Sequence, residues 1–395
     1  MRPVLHVITS DARGGLELYV SSLIRAQAAS GRDVAAYALP GSLIHHELQA
    51  SGIRIFDAMR QSHFSPADIS MIRRLARKEG ALVHSHTRFD VWAASFALYG
   101  TRIPHVHSTY MVPARKRDPH HFAIYSRVDA IISSSLSANR QLARYLPVPS
   151  DRLQVVRYGR HLDRFVRSAA SRDAMRVKLG IADHEVAFGM IGRIEPAKGV
   201  REFAESLSCL NPKVRDRVKY FIIGARNETN CEDYNASLVE FQQRPGIRER
   251  LTILPWTTDP VPYLNALDCL VLASYNEMYS LSVLDAMAMS LPVIGTDSEG
   301  TPEQIGANER GLLVHPRSPE SIANAVERYV LDPSLMVIHG EAGFKWVHQE
   351  HSMDRSLDAL DRVYSLAIAR RTRIKPVRLT PDGLPIIEPK KVALN

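Results

Sequence analysis

The feature that most constrains the fold is a regular alternation of short apolar runs and helical patterns. In the first half, runs such as VLHVIT (4–9) and DVAAYALP (33–40) alternate with segments such as SPADISMIRRLARKEG (65–80). A second series begins near residue 185 with EVAFGMIGR and continues through VKYFIIGA, LTILPW and CLVLAS. Strands that alternate with helices build parallel sheets covered by helices. The sequence therefore predicts an α/β protein made of two doubly wound, Rossmann-like units.

The length of the chain supports the same division, because 395 residues exceed the usual range of a single core. We place an N-terminal domain at residues 1–166 and a C-terminal domain at 167–350, with RSAASRDAMRVKLG (167–180) as the connection. Residues 351–370 are expected to form a helix that packs back on the first domain. Residues 371–395 are basic and hold four prolines, which is typical of an extended tail.

Charge is distributed unevenly along the chain. The net charge is +8, but residues 1–172 hold 24 Lys/Arg against 12 Asp/Glu, whereas the rest of the chain is slightly acidic. Such asymmetry favours an anion or an anionic surface near the first half, with plain solubility as the alternative. Apolar residues make up 45% and charged residues 23% of the chain, which excludes a disordered protein.

Neither the cysteines nor the histidines predict a metal site. The three cysteines are far apart and form no Cys-x-x-Cys pair, so reduced thiols in a cytoplasm fit best. His84, His86, His105 and His107 follow two strands and could meet at a metal only if the two loops converge. Satisfied core or loop histidines are the commoner outcome, so we expect no metal. No run approaches the roughly 18 apolar residues that cross a bilayer, so any membrane contact should be at the surface.

Two cations follow a buried strand in GMIGRIEPAKGV (189–200). Ligands of doubly wound sheets bind at the carboxyl ends of the strands. Arg193 and Lys198 stand five residues apart in the loop after such a strand. A guanidinium fork and an ammonium point charge can together clamp a diphosphate. The alternative is a pair of solvated loop cations.

Two acids flank a predicted helix start in NEMYSLSVLD (276–285). Glu277 lies in the loop, and the helix should begin near Ser280, with Ser280 or Ser282 as its N-cap. Asp285 lies on that helix among apolar neighbours, so it must find partners or face a cleft, unless the helix exposes it on a polar stripe. The free N–H groups of the helix start can hold an anion or sugar oxygens.

Two further loops end in glycines or small residues. SDARGGLEL (10–18) places Gly14 and Gly15 between a strand and a helix, where bare backbone can approach a ligand. It is not the Gly-x-Gly-x-x-Gly fingerprint, which disfavours a dehydrogenase. In DSEGTPEQI (297–305), we expect Thr301 to cap a helix and Glu303 to complement its dipole from the first turn.

Taken in order, these segments resemble the retaining glycosyltransferases of family 4, which have the two-Rossmann GT-B architecture. The resemblance implies that the two domains face each other across a cleft, the N-terminal one on the acceptor side and the C-terminal one binding the nucleotide sugar. The family pattern Gly-Arg-x4-Lys-Gly corresponds to GRIEPAKG (192–199), and its Glu-x7-Glu element corresponds to Glu277 through Asp285. The segment LPVIGTDSEGTPEQI (291–305) also fits, and the hinge pattern is echoed by YGRHLDRF (158–165). The resemblance spans residues 4–365 and is more specific in the C-terminal half.

The resemblance implies roles for individual residues. Arg193 and Lys198 would bind the donor diphosphate and neutralise the departing leaving group. Glu277 would contact hydroxyls of the donor sugar, and Asp285 would hold the ribose. Further donor-binding residues in this interpretation are Gly14, Gly15, Gly224, Met278, Tyr279, Ser280 and Leu281, with Trp256 or Thr257 beside the base.

The sequence departs from the family pattern at several of these positions. The second acid is Asp285 instead of a glutamate, and EMYSL stands where the family has EGFGL. The histidine that contacts the donor sugar in the family falls on Tyr110 by spacing, although His107 lies three residues earlier. We assign that role to His107, with Tyr110 as its rival. The hinge Asn and Asp of the family are Tyr158 and His161 here.

The expected function is retaining transfer of a hexosyl group from a UDP- or GDP-linked sugar to a saccharide or lipid-linked saccharide. No cofactor, metal or nucleic acid is expected, and the setting would be cytoplasmic synthesis of a surface polysaccharide or glycolipid. Arg115, Lys116, Arg117 and Tyr110 would lie on the acceptor side, where the basic run favours an anionic acceptor or membrane surface. The alternatives are a non-catalytic sugar-nucleotide-binding subunit and an enzyme of the same fold, either a UDP-sugar epimerase or a phosphorylase.

Overall fold

Two parallel sheets with flanking helices make up the protein, and their strand orders are β3-β2-β1-β4-β5-β6-β7 and β10-β9-β8-β11-β12-β13. The structure is a computed structural model that describes residues 2–111, 113–226 and 231–372. The predicted α/β class with two Rossmann-like units is confirmed. Apart from its first two residues, the tail predicted at 371–395 lies outside the described residues.

The first unit contains the seven-stranded sheet, and its order reverses between the neighbouring strands β1 and β4. Such a switch point opens a crevice at the carboxyl ends of the strands. The strands are β1 (Val4–Ile8), β2 (Val34–Ala38), β3 (Arg54–Asp57), β4 (Leu82–Ser85), β5 (His105–Ser108), β6 (Ala130–Ser133) and β7 (Leu153–Val155). The helices are α1 (Gly15–Ala29), α2 (Leu43–Ala50), α3 (Pro66–Lys78), α4 (Arg88–Leu98), α5 (Pro119–Ser126) and α6 (Leu136–Tyr145).

The second unit contains the six-stranded sheet, whose order reverses between β8 and β11. Its strands are β8 (Val186–Ile191), β9 (Val218–Ile223), β10 (Leu251–Leu254), β11 (Cys269–Leu272), β12 (Val293–Thr296) and β13 (Gly311–Val314). Its helices are α7 (Ala169–Leu179), α8 (Val200–Cys209), α9 (Pro212–Arg215), α10 (Glu232–Gln242), α11 (Val261–Ala266), α12 (Leu281–Ala288), α13 (Thr301–Ile305), α14 (Pro319–Leu331) and α15 (Pro333–Glu350).

The last described helix, α16 (Met353–Thr372), returns to the first unit. It packs on α1, β5 and β6. Gln27 of α1 donates a hydrogen bond to the Tyr364 hydroxyl at 3.2 Å, and Arg371 pairs with Asp129 at 2.7 Å. The chain therefore crosses between the two units twice. Among the described helices, none has both the length and the hydropathy that a membrane span requires.

The core strands and the helix starts follow directly from local sequence. All four residues of β11, CLVL, are buried, as expected for a central strand of a parallel sheet. Helix α3 begins where Ser65 accepts a hydrogen bond from the Asp68 N–H and Pro66 occupies the first helical turn. The prediction that Thr301 caps α13 is wrong. Gly300 is the N-cap residue, and the Thr301 hydroxyl finds no partner among the described residues because its side chain packs beneath β12 near Gly295.

Candidate active site

The loops that follow β8 and β11 lie side by side because these two strands are neighbours at the switch point. The Tyr275 N–H donates to the Ala197 carbonyl at 2.9 Å, which joins the two loops. Lys198 Nζ lies 2.8 Å from Glu277 Oε2, and both side chains are about three-quarters or more buried. Arg193 is more open, with 54% of its side chain exposed, and it pairs with Glu195 at 3.1 Å. The predicted cations and the loop acid thus meet at one edge of the second sheet.

Two glycines allow the backbone to approach closely at this edge. Gly199 has φ +67°, and a Cβ there would lie 2.1 Å from the Ala273 carbonyl oxygen. Any side chain at residue 199 would therefore push Lys198 away from β11. A Cβ on Gly224 would lie 1.7 Å from the Gly192 carbonyl oxygen, so Gly224 is required by packing. Its predicted contact with the donor stays a prediction.

Asp285 is buried and holds a bidentate ion pair with Arg160. The Arg160 Nε and Nη2 atoms lie 2.6 and 2.9 Å from the two carboxylate oxygens. Burial raises the pKa of Asp285, and the Arg160 charge opposes that rise. Asp285 therefore does not lie on an exposed stripe, and its predicted ribose contact stays a prediction. Sequence analysis did not assign this partner, although Arg160 is part of the hinge segment and a buried acid needs a counter-charge.

The EMYSL loop joins the two units through aromatic rings. Met278 and Tyr279 are buried, and the Tyr279 hydroxyl lies 3.0 Å from His351 Nε2. The Tyr279 ring meets Tyr158 of the hinge at 5.9 Å, edge to face. Ser280 is the N-cap residue of α12, but its own N–H donates to Gln304 at 2.8 Å. That N–H is therefore already hydrogen-bonded, and sequence reasoning missed Gln304.

The Gly14-Gly15 turn of the first unit faces the start of α12 in the second. Gly14 is the N-cap of α1, and a Cβ on Gly15 would lie 3.5 Å from Leu281 Cδ1. The structure thus brings residues predicted from both halves to the two walls of one cleft. Trp256 lies after β10 with 38% of the residue exposed.

A carboxylate of the second unit caps a helix of the first. Glu303 lies in the first turn of α13, as expected, but its oxygens accept hydrogen bonds from the N–H groups of Leu136 and Ser137 at 3.0 and 2.6 Å. These N–H groups belong to the first turn of α6, which an anion stabilises. Gln141 of α6 also hydrogen-bonds Glu299. The two units are therefore held together on this side of the cleft.

His107 and Tyr110, the two candidates for one family position, have different surroundings. His107 Nδ1 lies 3.0 Å from the Ser85 hydroxyl, and burial lowers the pKa of the imidazole to about 4. Tyr110 is half-buried, and its ring stacks near Tyr158 at 6.1 Å. Tyr158 in turn meets Tyr279, so a row of rings connects Tyr110 to the EMYSL loop. The sugar contact assigned to His107, with Tyr110 as its rival, stays a prediction.

Three imidazoles converge in the first unit, although the expectation from sequence was scattered, satisfied histidines. His6, His84 and His86 place one nitrogen each within 4.8 Å of the others. His6 was not considered in the sequence analysis, because a lone histidine inside an apolar strand gives no signal. All six ring nitrogens have hydrogen-bond partners, so these histidines are satisfied within the core.

These buried histidines predict that acid destabilises the protein. Burial lowers the pKa of His6 to about 4, whereas an unfolded histidine titrates near 6.5. Between these two values only the unfolded chain takes up the proton, so the free energy of unfolding falls as the pH drops from about 6.5 to 4. His6 alone should contribute a loss of about 3 kcal/mol. Urea unfolding from pH 7 to 4.5 measures this, and His6→Gln should make the profile less steep by the contribution of one proton. A wild-type profile that is flat between pH 6.5 and 5 would contradict the prediction.

The fold and the cleft define the class of protein. A crystal structure of Anabaena Alr3699/HepE in complex with UDP matches with a TM-score of 0.82 and 16% identity, over 92% of this chain and 100% of that chain. The structure of WaaG, a glycosyltransferase involved in lipopolysaccharide biosynthesis, matches with a TM-score of 0.69 and 16% identity, over 91% and 99% of the two chains. The fold is therefore that of the two-domain GT-B glycosyltransferases.

The family follows from sequence models of both halves. Residues 13–164 match the model Glycosyltransferase Family 4, and residues 171–346 match the model Glycosyl transferases group 1. The chain belongs to this glycosyltransferase family, as its motifs predicted. D-inositol 3-phosphate glycosyltransferase of Nocardia farcinica is 25% identical, and the match covers 90% of this chain and 87% of that protein.

Proposed function

We propose that the protein transfers a hexosyl group from a UDP- or GDP-linked sugar, with retention of configuration, to a saccharide or lipid-linked saccharide. The observation that carries the proposal is the pairing of Lys198 with Glu277 at the switch point of the second sheet, opposite the Gly14-Gly15 turn. The similar Anabaena structure was also determined with UDP-glucose, which supports a UDP-linked donor.

The chemistry follows from where charge develops. Breaking the bond between sugar and diphosphate leaves negative charge on the leaving group, and Lys198 and Arg193 are the cations beside that position. Glu277 holds Lys198 in place through one oxygen and leaves the other for a sugar hydroxyl. In this proposal the acceptor attacks from the leaving-group face, which retains the configuration in a single displacement, and the walls of the cleft exclude water. In this proposal no step needs a metal ion.

The acceptor in this proposal carries negative charge. The first unit contributes the basic excess, with 24 Lys/Arg against 12 Asp/Glu in residues 1–172. Relatives such as the Nocardia farcinica protein act on an inositol phosphate, according to their name. An acceptor with a phosphate or diphosphate would complement the basic unit. The setting would be the inner face of a cell membrane, for surface polysaccharide or glycolipid synthesis.

The decisive experiment is to incubate the protein with UDP-, GDP- and ADP-sugars and a panel of phosphorylated and lipid-linked acceptors. Retaining transfer would be established by nucleotide release that depends on an acceptor, together with NMR showing that the transferred sugar keeps the anomeric configuration it had in the donor. Thermal stabilisation by a nucleotide sugar without turnover would instead favour a non-catalytic binding subunit. Epimerisation of the sugar, with no acceptor-dependent release of nucleotide, would favour an epimerase.

The surface around α3, α4 and α5 supports contact with an anionic membrane. Arg115 and Arg117 are exposed just before α5, and the charge of Lys116 between them acts on His63. His63 packs on Trp92, which contacts Phe96, and the rings of Phe96 and Phe64 meet at 5.5 Å. The large apolar side chains exposed on this surface are Met59, Phe64, Tyr99 and Phe122. Apolar rings next to cations suit the interface of an anionic bilayer.

We therefore expect the protein to sediment with vesicles that contain phosphatidylglycerol, and expect the binding to weaken with salt. The double variant Phe64→Ser/Tyr99→Ser should lower the bound fraction several-fold at low salt because it removes inserted apolar area. Val177→Ser, which changes a residue that is 82% exposed in the second unit, is the matched control and should bind normally. Equal binding by all three proteins would rule this surface out.

A further inference from the structure

Seven side chains of the first unit and of α16 form a chain of hydrogen bonds that runs through the three converging histidines. They come from β1, α1, β4, the end of β5 and α16, so no local stretch of sequence contains them. In order along the chain of bonds they are Tyr110, His86, His6, Gln27, Tyr364, His84 and Ser108.

The first part of this hydrogen-bond relay leads inward from the cleft. The Tyr110 hydroxyl lies 2.9 Å from His86 Nδ1, and His86 Nε2 lies 2.9 Å from His6 Nδ1. His6 Nε2 then lies 2.7 Å from the Gln27 side-chain oxygen. Both histidines and Gln27 are at least 98% buried, so no solvent competes for these bonds.

The second part leads back to the same place. Gln27 donates to the Tyr364 hydroxyl at 3.2 Å, and that hydroxyl lies 2.8 Å from His84 Nδ1. His84 Nε2 lies 2.8 Å from the Ser108 hydroxyl. Ser108 and Tyr110, the two ends of the relay, line one cavity of about 20 Å³, which is large enough for a water molecule.

The relay has a defined direction. A neutral imidazole has one donor and one acceptor nitrogen, and burial lowers the pKa of all three histidines, which keeps them neutral. With the Gln27 oxygen towards His6, His6 must donate through Nε2 and accept through Nδ1. His86 then also carries its proton on Nε2, and the Tyr110 hydroxyl donates to His86. Because the Tyr364 oxygen already accepts from Gln27, we assign its own proton to His84 Nδ1, which places the His84 proton on Nε2. Each bond has one donor and one acceptor, as a cooperative buried network requires.

We infer that His86 and His6 are positioning residues for Tyr110. They hold the hydroxyl hydrogen of Tyr110 towards the core. Ser108 also hydrogen-bonds this hydroxyl, so one oxygen lone pair remains to accept a hydrogen bond from a sugar hydroxyl that enters the cavity beside Tyr110. Tyr110 is suitably placed for this contact because its ring lies against Tyr158, which contacts Tyr279 of the EMYSL loop. This inference rests on the proposed function and deepens it by assigning a sugar-hydroxyl acceptor in the first unit.

A metal ion does not explain this geometry as well. His6 and His86 bond directly to each other at 2.9 Å, and each neutral imidazole has a single lone pair for a ligand bond. In the assigned direction, the Nδ1 lone pairs of these three histidines already accept hydrogen bonds: His6 from His86, His86 from Tyr110 and His84 from Tyr364. A metal would have to break three bonds of the relay.

The test is a double-mutant cycle measured on sugar transfer. Tyr110→Phe and His86→Phe should each lower kcat/KM by about tenfold, the effect of one lost hydrogen bond to the substrate. The double variant should be no worse than either single variant, because both remove the same bond. His339→Phe is the matched control, a buried histidine of the second unit that also hydrogen-bonds a tyrosine hydroxyl, and should leave kcat/KM within about twofold. Effects that multiply in the double variant would overturn the inference.

Two further measurements keep the inference testable if His86→Phe does not fold or if transfer is not found. His86→Gln can both accept from Tyr110 and donate to His6, so it should restore most of the lost activity, and a Gln variant as impaired as Tyr110→Phe would count against positioning.

In the wild-type protein, ¹⁵N NMR should show His6, His84 and His86 protonated on Nε2. Nδ1 tautomers, or stoichiometric Zn²⁺ binding that shifts these resonances, would overturn the relay whatever the activity. Absence of transfer with correct tautomers would instead reject the proposed function alone.

Discussion

Replacement of Lys198 by alanine is expected to lower kcat by about 100- to 1,000-fold, the size of effect seen when one group that stabilises transition-state charge is removed. The ammonium lies in the loop after β8 and is held 2.8 Å from Glu277, and in the proposed function it stabilises the leaving diphosphate. The variant also leaves the Glu277 carboxylate without its cation. This carboxylate should repel the donor diphosphate and so raise the donor KM.

The measurement is steady-state transfer with the donor identified in the nucleotide-sugar panel. Lys213→Ala is the control, because Lys213 is an exposed lysine of the same unit on α9. Circular dichroism and a melting temperature near that of the wild type would show that the fold is intact. Activity within threefold of the wild type would contradict the assignment of Lys198 to the leaving group.

Asp285→Asn is expected to lower the free energy of unfolding by about 3 kcal/mol, since removal of one partner of a buried ion pair leaves the other charge uncompensated. Asp285 and Arg160 are both largely buried and share two hydrogen bonds of 2.6 and 2.9 Å. The pair joins α12 to the hinge segment. Loss of the pair should therefore also loosen the domain arrangement around the cleft.

Urea unfolding of Arg160→Met, Asp285→Asn and the double variant measures the pair directly. The double variant should be more stable than the sum of the two single losses predicts, because it leaves neither charge alone. Asp358→Asn, an exposed acid on α16, is the control and should change stability by less than about 0.5 kcal/mol. Additive losses in the double variant would show that Arg160 and Asp285 stabilise the protein independently.

Much of the cleft was predictable because its parts are local. A loop after a buried strand carries Arg193 and Lys198, and a loop before a helix carries Glu277, so each signal lies within a dozen residues. Parallel sheets place such loops at the same edge, which is why two separate motifs could be expected to meet. The structure brings Lys198 and Glu277 together although 79 residues separate them.

The partners of single side chains were not predictable in the same way. Glu303 was expected to complement its own helix, yet it caps α6 of the other unit, 167 residues away in sequence. Nothing near Glu303 specifies that target, because the contact depends on how the two units approach each other. His6 likewise meets His86 across 80 residues, through the pairing of β1 with β4.

The sequence by itself determined the α/β class, the two units, the glycosyltransferase family and the loops that carry the charged side chains, because periodicity and short motifs are local properties of the chain. Only the tertiary structure decided that Arg160 neutralises Asp285, that Glu303 bridges the units and that the histidines connect Tyr110 to α16. The reason is physical: a buried charge or imidazole must find a partner, but which one it finds depends on the packing of distant elements.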